Sequence, residues 1–421
     1  MTDDITAGGR SVSLEDPPHV GEFEFPSFEA AACPYPHYAA LRHEAPVYKH
    51  PDRNEYIVSR HEDIVFVAKN AELFSNAQLG EGGDRVLGQG SGDDTNTPSN
   101  VFFTDPPEHN RKRKLLYPAF SLERLATYEP MVREITNALI DQFIGRGECE
   151  FRSEFADLLP LYLICDILGL PREDIAIFRP FGESEGLGAR YLDEEGLRIE
   201  EENAVRAMSY VEEQVRSRLT NPRDDLLTEF VQSQVERDGE ADVPYLVQEC
   251  AISLLTAGNV TSTHMLASTM MLLLQNQDQL RLVTDDRSLL KPLIEESLRL
   301  ECPAQWVLRR CTTDTELGGV QIPAGASVLI IWASGSRDEA RFDDPERFWI
   351  ERPNAGKHHL AFGNGRHTCV GAPLARLMGR ASFDVILSRL HNMRLREPAP
   401  EAIDSIAFRG PKAVHISFDP A

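Results

Sequence analysis

Phe362-Gly363-Asn364-Gly365-Arg366-His367-Thr368-Cys369-Val370-Gly371 is the stretch on which the reading of this chain turns. It stands near the C-terminus and is followed by an apolar segment, Ala372 to Leu390, with helical periodicity. A cysteine placed there can present a thiolate, a strong and electron-rich ligand for iron, provided that water is kept from it. Gly363 and Gly365 let the backbone turn tightly and approach a flat cofactor. They also let amide N–H groups point at the sulfur, which stabilises its anion and tunes its donor strength. Phe362 would wall off water. A lone cysteine in a loop is more often a structural thiol, so the reading has to be carried by the rest of the chain.

The 421 residues exceed one ordinary hydrophobic core, which asks for two domains or for one large fold around a cofactor. The formal net charge of −24 argues against a nucleic-acid footprint, which needs a basic stripe. Cys33, Cys149, Cys165, Cys250, Cys302, Cys311 and Cys369 are odd in number, scattered and free of any CxxC pair. That pattern argues against structural zinc and a disulfide framework and fits a reducing cytoplasm. Residues 1–30 are polar and acidic, with no apolar core for a signal peptide, and are expected to be poorly ordered. Ala251 to Gln277 contains no Asp, Glu, Lys or Arg and is long enough to span a bilayer. Its Gly258, Asn259, Thr261, Ser262, Thr263 and His264 are too polar for that, so it reads as a helix wrapped by protein on all sides.

Taken in order, a globular pattern begins at Pro34. Pro46-Val47-Tyr48 and Glu55-Tyr56-Ile57-Val58 read as strands joined by the turn Asp52-Arg53-Asn54. Residues 75–104 are glycine-rich and form a long loop, usually a sign of function or disorder. In Asp105-Pro106-Pro107-Glu108-His109 the prolines start a helix and Glu108 suits its first turn. His109 and Arg113 then share one helix face, and Arg111 to Lys114 is the strongest positive run in an acidic chain. Residues 121–250 read as mostly helical, with a flexible junction at 178–195. Glu296 and Arg299 have the spacing of a helical ion pair.

Phe-Gly-x-Gly-x-His-x-Cys-x-Gly resembles the haem-binding signature of the cytochromes P450. Four other stretches resemble that family in its own order: Asp-Pro-Pro-Glu-His, Ala257-Gly258-Asn259-Val260-Thr261-Ser262, Glu296-x-x-Arg299, and the Pro345-Glu346-Arg347-Phe348 meander. The resemblance runs from about residue 34 to 418. It implies a mainly α fold with small β-sheets and a long central helix over the haem, built as one haem-thiolate domain over residues 31–421. It implies heme b, its iron held by the Cys369 thiolate, with Phe362, Gly363 and Gly371 shaping the loop. His109, Arg113, Arg309 and His367 are the implied partners of the haem propionates, with Arg310 as a fallback for Arg309. Gly258 would leave room above the ring and Thr261 would offer its hydroxyl to dioxygen. Glu296, Arg299 and Arg352 would brace the segment that carries the cysteine. Leu79, Val101, Phe102, Leu254, Ala257, Gln305 and Val307 are the implied pocket residues.

The implied activity is that of a soluble, bacterial-type, cytoplasmic monooxygenase hydroxylating a small hydrophobic substrate with O2. The stretch from Gly147 to Ile175 is similar to camphor- and terpene-hydroxylating members, so a terpenoid or an aromatic is expected. Electrons would come from a separate [2Fe–2S] ferredoxin and its reductase, docking near Arg111, Lys112 and Arg113, with no part for nucleic acid or membrane. One position departs from the family: Val260 stands where an acid usually relays protons. That departure keeps two alternatives open, a peroxide-using or isomerising haem-thiolate enzyme and a non-catalytic haem sensor or binding protein.

Overall fold

Short polar side chains fix where the helices begin. Ser121, Asp193 and Asp225 accept the amide N–H of Arg124, Gly196 and Thr228, satisfying donors that a helix start leaves unpaired. Gly169 and Gly239 close two helices in the left-handed conformation that glycine adopts without penalty. Between these signals run Leu122–Phe143, Leu158–Leu168, Glu194–Thr220 and Leu226–Asp238. The computed structural model describes residues 5–7, 10–12, 17–77, 100–182, 192–396 and 400–420. Leu79, the loop at 78–99 and residues 183–191 of the expected junction lie outside the described residues. From residue 17 on, the polar N-terminal segment makes contacts: His19 bonds Glu44, and Phe23 and Phe25 pack edge-on against His37 and Tyr38.

The fold is mainly helical with small sheets. The largest sheet orders its strands Val47–Lys49, Glu55–Val58, Ser327–Ile330, Val307–Cys311 and Phe74–Ser75. Only Ser327–Ile330 on Glu55–Val58 is parallel. A second sheet joins Leu390–Leu395, His415–Pro420 and Glu148–Glu150. One apolar cluster lies among the helices and another behind the large sheet. Ala361, the residue before Phe362, packs against both, so the cysteine loop starts at their seam.

The uncharged stretch is helical throughout but changes pitch. Val243–Gln248 is α-helical, Glu249–Thr256 is a π-helix and Ala257–Gln275 is α-helical again. The last of these buries residues on every side, as its composition requires. Among the described residues no helix is long and apolar enough to cross a membrane.

Two adjacent buried carboxylates tie the helix Leu290–Leu300 to the segments around Cys369. Glu296 accepts Arg299 Nε and Nη2 at 2.8 and 2.9 Å, and Arg352 Nε at 3.0 Å. Arg299 in turn donates to the carbonyls of Ser336 and Pro345. Glu295 is held by His359 Nε2 at 2.9 Å and by Arg376 Nε and Nη2 at 2.6 and 2.9 Å. His359 precedes the cysteine loop and Arg376 follows it.

Removing one partner of a buried ion pair strands the other. Glu296→Ala is therefore expected to cost about 3–5 kcal/mol in urea unfolding. Glu295 supplies a pH test. Burial alone would raise its carboxyl, but the hydrogen bonds from His359 and Arg376 outweigh burial and hold it at about 2. Its contribution is present above the ordinary carboxylate value of 4.5 and is lost as pH falls through about 2. Acid unfolding curves should show this window in the wild type and not in Glu295→Gln.

Candidate active site

Gly363 and Gly365 both have positive φ, +69° and +75°, so the tight turn expected of them is present. At Gly365 a Cβ would stand 2.3 Å from the Ala68 carbonyl oxygen, which no side chain could tolerate. The Cys369 amide donates to Phe362 O at 2.8 Å and Thr368 Oγ1 to Gly365 O at 2.7 Å. Phe362 is flanked by the Arg376 guanidinium, 4.4 Å from its ring centre, and packs against the helical core.

Six cysteines are buried, and Cys369 alone keeps accessible surface. Yet its sulfur is enclosed by protein: burial raises its thiol above the ordinary range. The amides of Gly371 and Ala372 and the charges of Arg113 and Arg376 pull the other way. An enclosed thiol with accessible surface faces an internal opening. The amides aimed at it are those that would stabilise a thiolate, and a bound metal would complete its deprotonation.

Beside the loop four nitrogen bases converge. The rings of His109 and His367 lie 4.1 Å apart. His109 is buried, and neither of its ring nitrogens has a hydrogen-bond partner, nor does His367 Nε2. Burial first, then the nearby Arg309, His109 and Arg113, push His367 down to about 2. Arg309 is buried and is lowered to about 10 by burial, with Asp105 acting against that. Arg113 donates to Thr368 O at 2.5 Å and to Tyr117 Oη at 2.9 Å. Orphaned buried donors among buried cations want an anion. Asp105 serves as a local anchor, accepting Ser75 Oγ and the Asn76 amide. Arg310 turns elsewhere, to the Gly325 carbonyl.

The central helix presents one accessible stripe. Ser253, Thr256, Ala257 and Thr261 are partly accessible and Gly258 is exposed, whereas the described residues beside them are buried. A Cβ on Gly258 would meet nothing within 4 Å. Thr261 Oγ1 donates to Ala257 O at 2.7 Å, a bond that closes the hydroxyl onto its own helix and leaves its lone pairs outward. On the opposite face, Val260 borders a cavity of about 130 Å³ with Asn259, Thr263, His264, Arg152, Asp157 and Arg179. Asn259 Oδ1 and His264 Nδ1 have no partner there, so the cavity is polar and has room for several waters.

Several expected pocket residues stand differently. Leu254 is buried in the helical core. It would lie in line with Thr261 on an uninterrupted α-helix, but the wider π turns rotate the face and bring Ser253 there instead. Val101 is also buried in that core, while its neighbour Phe102 is 41% exposed. Gln305 is buried with its amide committed to Tyr38 Oη at 2.9 Å and to the Cys302 carbonyl. Ala257 lies on the stripe, and Val307 is partly accessible. Lys112 is not a surface charge: it is 7% exposed and lies 5.1 Å from the Tyr245 ring centre.

Comparison with known proteins bears on the same residues. The family profile described as cytochrome P450 matches residues 199–408. Cytochrome P450 109 of Bacillus spizizenii is 33% identical over 366 residues, 84% of each chain. The chain belongs to the cytochrome P450 family. The cytochrome P450 monooxygenase PikC of Streptomyces venezuelae is 32% identical over 396 residues, 92% of each chain. The structure of CYP109E1 from Bacillus megaterium in complex with testosterone is similar with a TM-score of 0.83 and 26% identity, over 93% of this chain and 99% of that one. The protein is thus a cytochrome P450 monooxygenase, a family that carries haem through a cysteine thiolate and uses O2, a small substrate and a separate redox partner. The residues present fit that group: an enclosed accessible thiol, open space over Gly258, and orphaned donors among buried cations.

Removing one charge-assisted partner of an anion costs about 1.5–3 kcal/mol. Arg309→Met should therefore release haem roughly ten- to hundredfold faster into an excess of apomyoglobin, with the folded structure retained by circular dichroism.

Proposed function

We propose that Cys369 is the axial ligand of heme b in a monooxygenase that hydroxylates a hydrophobic substrate. The observation that carries this is the pair of openings, an enclosed but accessible thiol and an accessible Ala257–Gly258–Thr261 stripe on an otherwise buried helix. When bound, the haem supplies the activation of O2 and the thiolate's electron push. The rest is work for the chain. His109, His367, Arg113 and Arg309 hold the propionates. Phe362 and Arg376 exclude water from the sulfur. Gly258 keeps the space over the ring clear, and Thr261 holds a hydroxyl at its edge. Glu296, Arg299 and Arg352 keep the loop's flank in place.

The substrate we infer is a compact terpenoid or aromatic, supported by the apolar Ala257 and Val307. The testosterone complex of the structural relative agrees with a compact hydrophobe. An acidic [2Fe–2S] ferredoxin is the inferred donor. Its footing is narrower than the basic run suggests, because Lys112 is buried and Arg113 turns to Thr368. Arg111, Lys114 and Arg366 are the exposed charges left, and Arg111 is partly offset by Glu108. Seven unpaired cysteines support a reducing, cytoplasmic setting.

Val260 favours one second reading, use of peroxide without a donor, since a valine cannot relay protons. Against it stands the polar cavity behind Val260, where the unpartnered Asn259 Oδ1 and His264 Nδ1 leave places for water at the same helix turn.

The reduced protein with carbon monoxide should show the red-shifted Soret band of a thiolate-ligated haem, and Cys369→Ala should abolish it. An unchanged band in that variant would overturn the ligand assignment. Turnover with hydrogen peroxide alone, and none with a ferredoxin and reductase, would replace the monooxygenase cycle by the peroxide reading.

A further inference from the structure

Ser253 differs from the three threonines of the long central helix that bond back to their own backbone. Thr256, Thr261 and Thr269 donate back to the carbonyls of Ala251, Ala257 and Met265 at 3.0, 2.7 and 2.7 Å. Ser253 Oγ instead donates to Glu249 Oε2 at 2.8 Å. Glu249 has no accessible surface. Its Oε1 has no hydrogen-bond partner, and Lys112 faces the carboxyl from the helix Glu108–Leu116. Burial pushes the carboxyl up to about 7, with the bond from Ser253 and the charge of Lys112 acting against it.

This arrangement leaves the serine oxygen with a defined task. Its proton is turned to the carboxyl, so its lone pairs point away from Glu249. Donation to an acidic partner polarises the hydroxyl and makes its oxygen a better acceptor. Ser253 is also a polar member of the accessible stripe that continues through Ala257 and Gly258 to Thr261. It stands four residues before Ala257, a spacing that shares one helix face, within the π segment Glu249–Thr256. Lys112 behind the carboxyl offsets its charge, so the position suits a neutral donor better than a cation. In an apolar pocket a single such group fixes orientation, and a ligand without the matching donor leaves it unpaired.

We propose that Ser253, held by Glu249, is the polar anchor of the distal pocket, and that the substrate is a hydrophobic molecule carrying a neutral hydrogen-bond donor, a hydroxyl or amide N–H, remote from the carbon that is oxidised. Eight residues separate Ser253 from Thr261, roughly 12 Å along a helix axis. The donor and the oxidised carbon therefore lie toward opposite ends of the molecule. The proposal rests on the haem-thiolate reading and narrows its substrate class.

The test uses the haem-loaded full chain and optical titration, with no turnover. The probes are 1-alkylimidazoles of increasing chain length, each paired with the analogue whose terminal methyl is replaced by hydroxymethyl. The imidazole anchors one end at the iron and shifts the Soret band, while the other end samples the helix. At one chain length the wild type should favour the hydroxyl-terminated probe over its methyl partner, and Ser253→Ala should reduce that preference roughly threefold to tenfold. Glu249→Gln, which still offers Ser253 an acceptor, should keep part of it. Affinity of Ser253→Ala for the methyl-terminated probes should be unchanged, which separates an anchor from a general loosening of the pocket. The same preference in wild type and Ser253→Ala at every length, or no preference in either, overturns the proposal while leaving the haem site standing. No Soret shift with any imidazole in the wild type overturns the haem-thiolate reading and this proposal with it.

Discussion

The pair of carboxylates at Glu295 and Glu296 is the constraint from which the rest of the site hangs. Each buried charge costs several kcal/mol of lost hydration, and only well-placed partners offset it. The protein meets that cost with three arginines and a histidine drawn from both sides of the cysteine loop. The hydrogen bonds are directional, so the offset exists in one arrangement of the chain. Shifting the segment before Phe362 or the helix after Gly371 would strand a charge. The loop around Cys369 takes its position from these braces, from Phe362 and Val370 against the helical core, and from the close approach of Gly365 to Ala68.

The central helix poses the complementary constraint. It crosses the core without a single charge after Glu249 until Asp278, so any polarity it offers has to come from hydroxyls, amides and backbone. A uniform α-helix would repeat one face every seven residues. The π segment breaks that repeat and sets Glu249, Ser253, Ala257 and Thr261 four apart along one side. A polar end near Ser253 and an open end at Gly258 thus share a face that the rest of the helix keeps apolar.

These two features also divide what could be read from residues alone. The glycines of the cysteine loop and the Glu296–Arg299 and His109–Arg113 pairs follow from local spacing, whereas Arg309 and His367 join them only through the family resemblance. Leu254 is implied as a pocket residue by the family resemblance alone; it is buried in the helical core, and nothing in Glu249–Thr256 signals the wider turn there. Gln305 looked like a pocket residue by its neighbours, but its partner Tyr38 lies 267 positions away. Lys112 looked like surface charge because it sits in a basic run. Its inward turn depends on Tyr245 and Glu249, which belong to another part of the chain. The brace at Glu295 could have been suspected from a second acidic residue beside Glu296, but its partners His359 and Arg376 carry no spacing rule.

Val260 is where both arguments meet. An acid at that position would face the cavity that holds Asp157 and Arg179, a pair already joined at 3.1 Å. A carboxylate added there would share the cavity with Asp157 and vie with it for Arg152 and Arg179. Valine avoids that conflict, and the polarity moves to Asn259 and His264 on the same turn, neutral groups that hold water without adding charge. The helix can then remain uncharged through the core, with water as the mobile polar element on one face and the Ser253 hydroxyl as the fixed one on the other. On this view the missing acid reflects a site whose charges are supplied by neighbouring segments, with Arg152, Asp157 and Arg179 lining the cavity beside Val260.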